Sequence, residues 1–78
     1  MPSTVISRIL YEPEARVLNI WFRESGELYR YYDVPPRVSD AFRKAASKGR
    51  FFNIYIKDRY AFQRLGRVPD EDDGRHAA

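Results

Sequence analysis

Between residues 17 and 23 the side chains alternate strictly, with Leu18, Ile20 and Phe22 on one side and Asn19, Trp21 and Arg23 on the other. That period of two is what a half-buried β-strand requires. Ser25-Gly26 follows, a short turn whose glycine is free to take positive φ, and residues 28–34 are again aromatic and branched. The middle of the chain is thereby committed to an antiparallel hairpin. A two-residue loop places Glu24 opposite Glu27, Phe22 opposite Tyr29, Ile20 opposite Tyr31 and Leu18 opposite Asp33. Upstream, Val5, Ile6, Ile9 and Leu10 mark a strand over residues 4–11, stopped at Glu12-Pro13-Glu14, where Pro13 has no N–H for a ladder.

Val34-Pro35-Pro36 closes the hairpin, and Pro36 suits the first turn of a helix, where its missing N–H would have had no partner. Val38, Ala41, Phe42 and Ala45 continue as a helical apolar stripe, with Arg37, Lys44 and Lys48 off it. Ser47 is a good N-cap and Gly49 a poor helix interior, which predicts a break at 47–49 and a second short helix carrying Phe51, Phe52, Tyr55 and Ile56. Residues 57–65, with Tyr60, Phe62 and Leu65, are expected to return as irregular chain. The reading is an α+β fold, a three-stranded antiparallel β-meander followed by two short helices packed on one face. A chain of 78 residues holds one small domain, assigned to residues 1–66, and the polar residues 67–78 are expected to form a disordered acidic tail.

The order Tyr29-Arg30-Tyr31, Asp33-Val34-Pro35, Ser47-Lys48-Gly49-Arg50-Phe51-Phe52-Asn53 and Ile56 resembles the KTSC domain. That family occurs alone in bacterial and phage proteins and at the C-terminus of some lysyl-tRNA synthetases. The resemblance covers residues 4–65 and singles out Tyr29, Tyr31, Ser47, Gly49 and Asn53 as motif positions. It implies no catalytic residue, because the family has no established activity, and it points toward RNA through the synthetase attachment.

Chemistry that needs special residues is largely excluded. The chain has no cysteine, so disulfides, thiolate zinc sites and cysteine nucleophiles are impossible. His76, the only histidine, lies in the expected tail, where nothing would fix its orientation. Asp70, Glu71, Asp72 and Asp73 lack EF-hand spacing. Ser47-Lys48-Gly49-Arg50 lacks the second glycine and the Gly-Lys-Ser/Thr ending of a nucleotide loop. No enzyme, metal or cofactor is therefore expected. No apolar run reaches the length of a membrane span and Met1-Pro2-Ser3-Thr4 has no signal-peptide character, so no membrane partner and a cytoplasmic location are expected.

Charge is unevenly distributed. Residues 1–36 carry net −1 and residues 68–78 net −3. Residues 37–67 set nine Lys or Arg against Asp40 and Asp58, net +7. A concentrated positive segment in so small a domain is the footprint of a polyanion binder, although it also suits a solvated helical surface. Two clusters follow. In the predicted register, Trp21 lies opposite Arg30, Asn19 opposite Tyr32 and Arg23 opposite Leu28, on the sheet face the helices do not cover. Trp21, Tyr32, Arg23 and Arg30 would then form a platform for stacked bases, a self-association surface, or a surface covered by residues 57–65. Lys48, Arg50, Lys57 and Arg59 flank Phe51-Phe52-Asn53, and the helix start at Ser47 would add partial positive charge for a phosphate. Tyr29 and Tyr31 share the helix-covered face and are read as core, each hydroxyl reaching a partner at the edge. The expected function is a non-catalytic nucleic-acid-binding module for RNA or single strands, monomeric or homodimeric. The alternative is a protein-interaction or homodimerisation module with no nucleic-acid ligand.

Overall fold

The computed structural model describes residues 5–67, and the α+β class read from the sequence holds with one strand more than expected. β1 (Ile6–Glu12), β2 (Val17–Phe22) and β3 (Glu27–Tyr31) form the expected antiparallel meander. Residues 57–65 are not irregular throughout: β4 (Phe62–Arg67) adds to the free edge of β3, giving one sheet in the order β1-β2-β3-β4. An unpaired β3 edge would expose a row of backbone donors and acceptors, and β4 satisfies it. The strand includes Arg67, one residue beyond the expected domain boundary. The expected tail over 68–78, with His76 and the Asp70–Asp73 acidic run, lies outside the described residues, as does Thr4.

The β2–β3 turn corrects the predicted register. It occupies residues 23–26, closed by the Gly26 N–H donating to the Phe22 carbonyl at 2.8 Å, with Gly26 at φ 72°. Leu18 therefore pairs with Tyr31, Ile20 with Tyr29, Asn19 with Arg30 and Trp21 with Leu28. Arg23 sits in the turn rather than opposite Leu28. The slip is two residues, and because side chains repeat every two residues every face assignment survives while the cross-strand neighbours change.

α1 (Pro36–Lys44) starts at Pro36 as expected, with the Val38 and Ser39 N–H groups both donating to the Pro35 carbonyl. α2 (Lys48–Phe51) is a single turn whose Arg50 N–H donates to Ser47 Oγ at 3.3 Å, the cap that the sequence predicts. It runs on as a π-helical turn, Phe52–Ile56, whose widened bond is Lys57 N–H to the Phe52 carbonyl at 2.8 Å.

These helices lie on the sheet face that carries Leu18, Ile20 and Tyr31, and with Val34, Phe42, Phe52 and Ile56 they enclose the core. Phe42 is fully buried and stacks on Phe51 at 5.4 Å. Tyr31 is only 3% exposed. Burial foremost, then the neighbouring Tyr29 and Asp58, pushes its phenol up to about 12.

Two outcomes follow. Phe42→Ala should cost about 3–5 kcal/mol, comparable to the whole stability of a domain this size, and leave the chain unfolded by circular dichroism. Arg43→Ala, on the exposed side of the same helix, should stay within about 0.5 kcal/mol of the parent. For Tyr31, the raised value means that the folded state favours the protonated phenol. Its contribution to stability is therefore intact below the ordinary tyrosine value of 10.0 and lost as pH rises toward about 12. An ultraviolet pH titration should show one phenol ionising after the others, and Tyr31→Phe should remove that late step.

Candidate functional site

The basic segment divides once its partners are known. Arg43 and Lys44 both pair with Asp40 one turn earlier on α1, and their hydrogen bonds hold its carboxyl below the usual carboxylate range. Arg64 pairs with Glu27 at 3.0 Å. Lys48 folds back so that Nζ donates to the Ala45 carbonyl at 2.7 Å. The helix start at Ser47 is one turn long, with its Arg50 N–H already taken by the cap. Lys48 and Arg50 are thus not drawn together into the expected phosphate pocket. Among the described residues Arg37, Arg50, Lys57 and Arg59 take part in no salt bridge.

Arg37 and Arg59 line one groove together with Val38, Phe51, Tyr55 and Tyr60. Arg59 Nε donates to the Ile54 carbonyl at 3.1 Å, which anchors the guanidinium beside the π-helical turn. Tyr55 is 53% exposed, and its ring leans on the partly buried Phe51 at 4.7 Å, so it is presented to solvent on an aromatic support.

A second concavity, about 270 Å³, opens where the π-helical turn meets β3 and β4. Tyr29, Tyr31 and Phe62 stand as near-parallel rings, 5.3 to 6.5 Å apart and within 17° to 27° of parallel. Phe22 and Phe52 meet this stack edge-on. Ser25, Lys57 and Asp58 supply the polar part of the lining. Asp58 takes φ 65°, a left-handed conformation that aspartate tolerates better than most residues. The Tyr31 hydroxyl does not reach the edge partner expected from the sequence: among the described residues it makes no hydrogen bond, and it is close enough to Asp58 and Tyr29 for both to disfavour its ionisation. By contrast Tyr11 Oη donates to the Val34 carbonyl at 2.6 Å.

The opposite sheet face differs from its expected form. Trp21 is only 8% exposed, not an open stacking ring, with the Arg8 guanidinium 5.2 Å above its indole. Arg30 Nε donates to Asn19 Oδ1 at 3.0 Å, while Asn19 Nδ2 donates to Glu12 Oε2 and to the Leu10 carbonyl. Tyr32 donates to Gln63 Oε1 at 2.9 Å. Arg23 is exposed in the turn. The platform proposed from Trp21, Arg23, Arg30 and Tyr32 is therefore not an open one: Arg8 lies over Trp21, Arg30 is bonded to Asn19 and Tyr32 to Gln63, and Arg23 is exposed in the turn. Of the motif positions, Tyr29 and Tyr31 line the pocket, Ser47 caps α2, Gly49 lies within it and Asn53 is exposed on the π-helical turn.

Of the basic residues singled out in the sequence, Lys57 lines the aromatic pocket and Arg59 the groove. Sequence reasoning missed Phe62 and Asp58 in the pocket and Arg37 and Tyr55 in the groove. Phe62 and Arg64 alternate with Gln63 and Leu65, a period of two too polar to stand out before its partner strand was known. Among the described residues no three His, Cys, Asp or Glu side chains gather as a metal site, and no helix is long and apolar enough to cross a membrane.

The KTSC domain family matches residues 2–60. A lysine–tRNA ligase of Nostoc punctiforme is 40% identical over 62 residues, which cover 80% of this chain and 11% of that ligase. An uncharacterized protein of Stutzerimonas stutzeri is 38% identical over 66 residues, covering 83% of this chain and 92% of its own. The crystal structure of a KTSC domain protein from Yersinia pestis superposes with a TM-score of 0.77 at 42% identity, covering 85% of this chain and 92% of that one. Matched over most of its length by sequence, and at high identity by structure, this chain belongs to the KTSC domain family.

Proposed function

We propose that this domain is a non-catalytic module that binds single-stranded nucleic acid, RNA in preference to duplex DNA, in the cytoplasm. The observation that carries the reading is the groove beside the π-helical turn. An exposed tyrosine, Tyr55, shares it with Arg37 and Arg59, neither of which is held by a carboxylate among the described residues. A ring face for an unstacked base and cations for the phosphates beside it are the two parts of a sequence-tolerant single-strand site. The net +7 of residues 37–67 provides the longer-range attraction. The stacking ring is Tyr55, because Trp21 is covered by Arg8. RNA is preferred on two grounds: unstacked bases are the usual target of RNA readers, and a relative of this chain is part of a lysine–tRNA ligase.

Binding of a short single-stranded RNA should weaken steeply as salt rises, since each basic residue at a phosphate releases a condensed cation. Arg37→Ala should lower the affinity and reduce the salt slope by about 1. Tyr55→Ala should lose about 1–3 kcal/mol of binding with the slope nearly unchanged. Fluorescence anisotropy over a salt series measures both. Absence of binding to any short RNA or DNA at low salt would overturn the proposal. If Tyr55→Ala instead converted a dimer to a monomer by light scattering, the protein-interaction reading would take its place.

A further inference from the structure

The aromatic pocket has a different composition from the groove and asks for a different part of a ligand. We propose that it receives one unstacked nucleobase, guanine in preference to the others, with the ring against Phe62 and Tyr29 and the edge read by Asp58, Lys57 and the Tyr31 hydroxyl. The proposal rests on the single-strand reading above and extends it from the charged backbone to the identity of a base.

Size and ring geometry support a base. At about 270 Å³ the cavity lies just below the roughly 300–1,000 Å³ of ordinary small-molecule pockets, room for one planar ring system. Phe62 is 52% exposed although it stacks on both tyrosines, so part of its ring remains open to an incoming flat group. Phe22 and Phe52 meet the tyrosines edge-on and close the walls.

The polar groups narrow the choice. Asp58 is the only acid on the lining among the described residues and, ionised, can only accept hydrogen bonds. Lys57 can only donate. The Tyr31 hydroxyl lines the cavity, is protonated at neutral pH and has no protein hydrogen-bond partner among the described residues, so it is available to a ligand acceptor. The matching ligand has N–H donors for a carboxylate beside a carbonyl for two donors. Guanine offers this on one edge, N1–H and N2–H₂ next to O6, and a carboxylate can accept two such bonds side by side. Adenine and cytosine bring one amino donor to that edge and uracil one imide N–H. A quaternary or primary ammonium would also suit the rings and Asp58, but it would offer no acceptor to Lys57 or the Tyr31 hydroxyl. Lys57 and Asp58 line this pocket and Arg59 and Tyr60 the groove, so one short segment borders both sites.

The test uses the full chain and chemical-shift titrations with GMP, AMP, CMP, UMP, ribose 5-phosphate and tetramethylammonium. GMP should move the ring resonances of Tyr29, Tyr31 and Phe62 and bind tightest of the set. Asp58→Asn keeps a residue that tolerates left-handed φ. It should weaken GMP about tenfold and level the four bases, as expected for loss of a charge-assisted bond. If Asp58 merely opposed phosphate, the same variant would bind every nucleotide more tightly, which would overturn the proposal. Phe62→Ala, at an exposed site, should weaken all four bases and leave ribose 5-phosphate unchanged. Shifts with tetramethylammonium but none with nucleotides would also overturn it. RNA binding that Arg37→Ala weakens while Asp58→Asn and Phe62→Ala leave it intact would remove the base pocket and keep the single-strand module. No nucleotide or RNA binding at all would remove both.

Discussion

The fold depends on burying β2 on both faces when helices cover only one. Leu18 and Ile20 lie under α1 and the π-helical turn as ordinary core. On the other face Asn19 is 2% exposed and Trp21 is nearly as buried, with no helix above them among the described residues. The solution is local. Asn19 spends its amide on Leu10 and Glu12 and its oxygen on Arg30, so a polar group that would be costly if unpaired becomes a bond to both flanking strands. Trp21 is roofed by the Arg8 guanidinium, which covers apolar surface while keeping its charge near water. Three strands are thereby fixed in register from the side that has no helices.

That sheet sets the position of everything used for recognition. Once β2 fixes β3, Tyr29 and Tyr31 point toward the helices, and β4 brings Phe62 beside them on the same face. The widened turn Phe52–Ile56 then buries Phe52 and Ile56 while leaving Tyr55 outward. Phe52 at its start meets Tyr31 edge-on, and Lys57 and Asp58 directly after it line the pocket. The π turn is common at functional sites for this kind of reason: one extra residue per turn changes which side chains reach which neighbour.

Charge follows a similar division between structure and surface. Asp40 occupies Arg43 and Lys44, Glu27 occupies Arg64, and a carbonyl occupies Lys48. Of the cations in no salt bridge among the described residues, Lys57 lines one concavity and Arg37 and Arg59 the other, while Arg50 and Arg67 line neither. Surface pairs of the Asp40 kind contribute little to stability. Their larger consequence is to leave Arg37 and Arg59 as the cations that share the groove with Tyr55.

Sequence alone determined the meander, the Pro36 helix start, the Ser47 cap and the sheet faces of the β2 and β3 residues, because these follow from local propensity and from a side-chain period that repeats within a few residues. It determined the family as well, through the spacing of Tyr29, Tyr31, Ser47 and Asn53. It did not determine the register, which a loop of two or of four residues around Ser25-Gly26 sets differently at no cost to the alternation. Nor could it place β4, whose Phe62 gains its meaning only from Tyr31 across the ladder. Exposure was the other quantity left to the tertiary structure. Alternation says which way Trp21 points, but whether a ring that points outward is open or roofed depends on Arg8, thirteen residues earlier in the chain, and on packing that no local pattern records.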